Sequence, residues 1–175
     1  MNYYTKLLIR LFLALLTAIF GSKLIYLILS KPTFYLSYLS VFFYNPIIQE
    51  NYLLINNAKL IFVPACIAAS AYLLLALLIL LTKDIKLQTS IKIFLLGSLA
   101  IFIANLIRIF ILIIILINYN SNTFQNLHLF FWKILSSIYV ALIWILLIKY
   151  YKIKTIPIYS DLKEMLKSIN QSKTN

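Results

Sequence analysis

The chain has 175 residues, 63% of them hydrophobic and only 11% charged, with a mean hydropathy of +0.97 and a formal net charge of +12. A soluble domain of this length cannot hide so much apolar surface in one core, whereas lipid can, so the composition excludes a soluble globular fold. The charge does not point to nucleic acid, because the basic residues sit at the ends of apolar runs rather than on one polar face, and two glycines (Gly21 and Gly97) leave no material for phosphate-cradling loops.

In chain order, four apolar stretches approach or exceed the roughly 20 residues that a helix needs to cross a bilayer. The first runs from about Leu7 to Leu29, with Lys23 placed to snorkel toward the headgroups. A removable signal peptide is a poorer reading of this run, which lacks a clean small-x-small cleavage site. A segment from Ser30 to about Ala65 follows, punctuated by Pro32, Pro46 and Pro64. Its first half, Phe34 to Tyr44, is rich in Tyr and Phe, which favour the membrane interface. Its second half places two β-prone runs around Asn56-Asn57, the pattern of a small hairpin leading into Pro64. The second apolar stretch covers 66–82, the third about Ile91 to Ile117 and the fourth about Leu127 to Ile148. After Pro157 a short amphipathic helix is expected over Ser160 to Ile169, with Ser160 as N-cap and Asp161 and Glu164 in its first turn. The expectation is therefore one all-α integral membrane domain over residues 1–175, a polytopic bundle of about four spans with a short extracytoplasmic segment between the first two.

The Lys and Arg bias sets the expected orientation. Lys6 and Arg10, then Lys83, Lys86 and Lys92, then six lysines from Lys149 to Lys173 fall on one side, eleven of the sixteen basic residues. That side is expected to be the cytoplasm, so both termini, including the tail 154–175, are cytoplasmic and the protein is a multi-pass plasma-membrane protein.

Polar groups inside the spans carry the chemical information, because an Arg at a helix centre costs at least about 2.5 to 3.5 kcal/mol. Arg108 lies nine residues before Ile117, on the order of 13 Å along a helix, too deep for easy snorkelling. Asn105, three residues earlier, shares its face. Cys66, the lone cysteine, rules out an internal disulfide and is placed at the head of the second helix, where the macrodipole and free backbone amides favour a thiolate. His128, the lone histidine, opens the fourth helix on the same outer side. A thiol, an imidazole and a guanidinium at the outer ends of three helices support acyl transfer: the thiolate attacks a carbonyl, the imidazole exchanges the proton and the cation holds the oxyanion. Each residue also has a plainer role. A membrane Cys is most often a small apolar residue, a His near an interface is most often a surface residue, Asn105 can simply hold helices together, and Arg108 can pair with a helix end or a lipid phosphate. Lys59 and Lys133 read as interfacial anchors, and Phe130-Phe131-Trp132 as an interface belt. One Cys and one His are too few for a zinc site.

The order and spacing of these residues resemble the exosortase and archaeosortase superfamily of membrane transpeptidases, most of all its archaeal branch. Pro64-Ala65-Cys66 looks like the family's nucleophile position, Asn105-Leu106-Ile107-Arg108-Ile109 like its Asn-x-x-Arg-Ile motif, and His128 with Phe131-Trp132 like its third site. The resemblance covers roughly Val63 to Lys154. Where many members follow the cysteine with Ser or Thr and then Gly, this chain reads Cys66-Ile67-Ala68. The resemblance implies a cysteine transpeptidase or protease without a cofactor. In it Cys66 is the nucleophile, His128 the proton-transfer group and Arg108 the oxyanion stabiliser, while Asn105 orients Arg108 or the substrate. It implies, as substrates, secreted or surface proteins that end in a short motif, a transmembrane helix and a basic cluster. They are cut before the helix, at a site facing the extracytoplasmic side, and handed to an anchor that is a membrane lipid in archaeal members. The alternative from residue types is a non-enzymatic membrane component, a small transporter subunit or assembly factor, in which Arg108 is structural.

Overall fold

The computed structural model describes residues 3–49, 52–55, 58–61, 63, 65–119 and 121–172. Helix α1 (Tyr3–Ser40) has 38 residues, about 57 Å, against a hydrocarbon layer of about 30 Å. It continues past the expected end near Leu29 and straight through Pro32. Pro32 leaves the Ile28 carbonyl without its helical donor, a loss that a helix in an apolar layer tolerates; beyond the proline the hydroxyl of Ser37 donates to the Thr33 carbonyl (2.7 Å). Most of α1 is exposed, Leu8, Phe12, Leu15, Phe20 and Leu27 among many, as expected of a helix that faces lipid.

A short 3₁₀ turn (Phe42–Tyr44) leads into a three-stranded antiparallel sheet, β1 (Ile47–Gln49), β2 (Tyr52–Ile55) and β3 (Ala58–Ile61), in the order β1-β2-β3. Ile55 pairs with Ala58 and Tyr52 with Ile61, so the β2–β3 loop holds two residues, as read from Asn56-Asn57, which themselves lie outside the described residues. Strand β1, with Ile47 opposite Leu54, is an addition to the expected hairpin. Leu53, Ile55 and Leu60 turn inward and pack with Val41 against Ile109 and Ile113, forming the outer of two cores.

The remaining helices are α2 (Ala69–Leu80), α3 (Leu87–Asn118), α4 (Ser121–Phe130), a π-helical turn (Phe131–Leu135), α5 (Ser136–Tyr150) and α6 (Tyr159–Ser172). Among the described residues three helices are long and apolar enough to cross a membrane: α1, α3 and the continuous rod Asn122–Tyr150. The stretch expected to span from Cys66 to Thr82 is instead a turn over 65–68 and a 12-residue helix, about 18 Å long. That helix is the most enclosed of all. It contacts α1, α3 and α5, and Tyr72, Leu75 and Ile79 join Ile93, Ile101, Val140 and Trp144 in the inner core. Helix α3 approaches it closely at Gly97, where an added Cβ would lie 2.6 Å from Leu75 Cδ2 and 3.1 Å from Leu147 Cδ1.

At the far end of the bundle Arg10 closes the chain's ends together. Its guanidinium donates to the Leu80 and Leu81 carbonyls (3.1 and 2.9 Å), the last acceptors of α2, and to Asp161 of α6 (2.8 Å). Tyr3 also donates to Asp161 (2.9 Å), and Lys83 pairs with Glu164. Helix α6 begins at Tyr159, and the Ser160 hydroxyl accepts backward from the Ile156 amide (3.0 Å).

Candidate functional site

The site lies at the seam between the two cores. It is formed by Leu60 of β3, Cys66 of the turn before α2, and residues of α3 and α4. The turn over 65–68 precedes α2, so Cys66 stands three residues before the helix rather than at its head. Its amide donates to the Val63 carbonyl (2.8 Å). Its thiol points to the Ile61 carbonyl of β3 (3.7 Å), the geometry of a protonated sulfur donating a weak hydrogen bond. Pro64 lies outside the described residues.

The turn ends on Ala68, whose φ of 56° and ψ of 35° are left-handed. That conformation is natural for glycine and strained for alanine by about 1–2 kcal/mol. The backbone takes a glycine-like turn here although the residue is alanine.

Helix α3 supplies the polar side chains that hold this turn. Asn105 is fully buried and its Nδ2 donates to the Cys66 carbonyl (2.9 Å). One turn later Arg108, 4% exposed, donates from Nη2 to the Ala65 carbonyl (2.7 Å). The (i, i+3) spacing sets both on one face, so the two carbonyls of consecutive residues receive an amide and a guanidinium. Irregular backbone inside an apolar layer has to be satisfied in this way.

His128 lies in the last turn of α4, half-buried, with its ring 5.8 Å from that of Phe124. Cys66, Arg108 and His128 line one cavity with Leu60, Ile109, Leu112 and Phe124. The structure thus brings together the three residues read from the sequence, with Asn105 beside them. The space open to a water-sized sphere is about 10 Å³, room for one water and no more. Arg108 interacts electrostatically with both Cys66 and His128, and among the described residues it makes no salt bridge. It is a buried cation that shares its cavity with the thiol.

Two features have no counterpart in the sequence reading. The π-helical turn at Phe131–Leu135 begins three residues after His128, and Ser136 donates to the Phe131 carbonyl across it (2.8 Å). At 100° per residue, eight residues of α-helix would set His128 about 80° away from Ser136, off the face formed by Ser136, Val140 and Trp144. One inserted residue reduces the offset to about 20°. The π turn therefore keeps His128 on the face that packs inward. The second feature is a pair of tyrosines, Tyr72 on α2 and Tyr139 on α5, whose hydroxyls are shut off from solvent. Thirteen tyrosines make the type uninformative by itself. The available signal was position, since both fall in the middle of apolar runs rather than at an interface.

Chemically, the cavity holds a thiol, an imidazole and a guanidinium, and its nearest carbonyls are already bound. The guanidinium has two nitrogens, Nε and Nη1, without partners among the described residues. They are free to meet an anion. No protein-family model matches the sequence, and no curated protein or solved structure is significantly similar to it.

Proposed function

We propose that the protein is a membrane-embedded cysteine transpeptidase or protease that cuts carboxyl-terminal sorting signals of secreted or surface proteins. The observation that carries this is the lining of a single buried cavity by Cys66, Arg108 and His128, drawn from three separate elements. In the proposed reaction His128 takes the thiol proton as the sulfur attacks the scissile carbonyl carbon. The Nε and Nη1 hydrogens of Arg108 receive the oxyanion. Collapse breaks the C–N bond, His128 returns its proton to the leaving amine, and a thioester to Cys66 remains. Water, an amine or a hydroxyl then attacks the thioester and releases the thiol; a lipid-borne nucleophile makes the protein a transpeptidase, water a protease. Because the cavity admits only one water, a peptide enters only when β3 or α4 parts from α3.

The same reading has four crossings, with α2 and its preceding turn as the second, and both termini in the cytoplasm. The contacts of Tyr3 and Arg10 with Asp161 support it, since they hold the two ends of the chain together, which requires an even number of crossings. The basic bias of that end supports the orientation.

The test is mass spectrometry of membrane proteins from cells with and without the wild-type gene. Cys66→Ala and Arg108→Ala are expected to abolish a carboxyl-terminal cleavage while the protein still accumulates in the membrane. Unaltered cleavage in Cys66→Ala refutes the thiol mechanism. A second reading is favoured by the bonds of Asn105 and Arg108 to the turn carbonyls, which are what a purely structural role requires: a non-enzymatic transporter subunit or assembly factor. It predicts the reverse pattern, with Arg108→Ala lowering abundance and Cys66→Ala without effect.

A further inference from the structure

Beside the Cys66 cavity the bundle encloses a second group of polar atoms. Among the described residues, Nε and Nη1 of Arg108, Oδ1 of Asn105 and the hydroxyls of Tyr72 and Tyr139 are buried without a hydrogen-bond partner. They come from α2, α3 and α5, which pack on one another. Arg108 interacts electrostatically with Tyr139, and Tyr139 with Tyr72. Buried donors and acceptors are almost always satisfied by protein or by ordered water. This group contains donors on the guanidinium, an acceptor on the amide and hydroxyls that do both, which is the set of partners that buried water needs.

Among the described residues the guanidinium is otherwise held at one nitrogen only, by the Ala65 carbonyl. A planar group with one anchor can swing about it, whereas a second anchor on the opposite edge fixes the plane. We propose that Tyr139 is a positioning residue for Arg108: its hydroxyl, joined to that of Tyr72 by bound water, holds the guanidinium edge that Ala65 leaves free and so keeps the charge beside the Cys66 thiol. The inference deepens the cysteine reading above and rests on it. The titratable groups facing Cys66 are Arg108 of α3 and His128 of α4. Those facing Arg108 are Cys66, His128 and Tyr139 of α5, with Tyr72 of α2 behind the last.

The test is the pH dependence of Cys66 alkylation by iodoacetamide in the purified full-length protein in detergent, read by intact mass. Cys66 is the only thiol, so the signal is unambiguous. Tyr139→Phe removes one oxygen and keeps the packing. It is expected to move the alkylation midpoint up by about half to one pH unit, equivalent to roughly three- to tenfold slower reaction at neutral pH. Tyr72→Phe is expected to move it the same way by less. A packing role alone would change yield or melting temperature but not the midpoint. Arg108→Gln, with Arg108→Met as a second neutral variant should the first fail to fold, is the reference and is expected to raise the midpoint at least as far. If the Arg108 variants raise it and Tyr139→Phe leaves it unmoved or lowers it, the positioning role alone is overturned. If the Arg108 variants also leave it unmoved, the pairing of guanidinium with thiol fails, and this inference with it.

Discussion

Asp161→Asn should loosen the carboxyl-terminal helix α6 by an amount that can be worked from its contacts. Asp161 Oδ2 lies 2.8 Å from Arg10 Nη2, and Oδ1 accepts from Tyr3 at 2.9 Å; the two charged side chains are 9% and 21% exposed. Fully exposed pairs contribute about 0–1 kcal/mol, whereas charge-assisted hydrogen bonds in sheltered settings contribute about 1.5–3. Asparagine keeps a neutral acceptor of the same shape, so the expected loss is about 1–2 kcal/mol. Apolar packing does little to make up the difference, because a space of about 130 Å³ remains open between Leu7 and Leu11 of α1 and Leu162 and Met165 of α6.

Tryptic cleavage after Lys163, measured on purified protein at low protease, reads the opening of α6 when reclosing outpaces cleavage. The expected acceleration is roughly five- to thirtyfold. Glu164→Gln, at the more exposed pair with Lys83, should accelerate it less than about threefold. Arg10→Leu should match or exceed Asp161→Asn, since Leu80 and Leu81 also lose their donor, and adding Asp161→Asn to Arg10→Leu should change little more. Cleavage of Asp161→Asn within about twofold of wild type, or effects that multiply in the double variant, would refute the claim that this pair pins the tail.

Two further outcomes follow from the site. Ala68→Gly should raise the melting temperature in detergent, by the equivalent of about 0.5–1 kcal/mol once the extra freedom of the unfolded glycine is subtracted from the relieved strain, while Ala68→Val should lower it by more than about 1 kcal/mol; equal melting temperatures for the two would contradict the left-handed turn. Deleting the exposed Lys133 should convert the π turn to α-helix and, with seven residues left to Ser136, keep residue 128 about 20° from the same face, so copper-catalysed disulfide formation between Cys66 and a His128→Cys substitution should proceed in the full-length chain and in this deletion, and fail when Ile134 is deleted as well, which turns residue 128 by about a further 100°.

The parts of this protein that were legible in the sequence are those where lipid makes polarity conspicuous. Arg108 and Asn105 stood out because an apolar run should have excluded them, and they do sit together on α3 against the turn that holds Cys66. The β2–β3 hairpin was legible because two β-prone runs leave a two-residue gap. Strand β1 was not, because three residues behind Pro46 carry no periodicity. Helix α1 was expected to end before Pro32 by the rule for water, where a proline's lost hydrogen bond and clash break a helix. Across an apolar layer a helix is the main way to satisfy the backbone, so it continues. The short α2 was read as a full span because hydropathy cannot register that Ala68 takes a positive φ. Nor does any residue pattern announce the π turn that aims His128.

The shortness of α2 ties these features together. A full-length second span would have carried the 65–68 turn out to the interface, where water could hydrate its carbonyls. At about 18 Å the helix stops early, and the carbonyls of Ala65 and Cys66 are left within the bundle, where the backbone offers the half-buried Ala65 only a long bond from the Ala68 amide (3.4 Å). They require donors, which Asn105 and Arg108 provide. A structural role therefore explains one nitrogen of each side chain, Nδ2 of Asn105 and Nη2 of Arg108. It does not explain why the second donor is a guanidinium, since another amide would satisfy the Ala65 carbonyl without burying a charge at a cost of at least about 2.5 kcal/mol. The surplus of Arg108 over an amide is a positive charge and two unused nitrogens, beside the chain's only thiol and near its only imidazole. That surplus is what the catalytic reading uses and the structural reading leaves over. Replacing Arg108 with Gln, which keeps a donor for Ala65 but discards the charge, is therefore the substitution on which the two readings part.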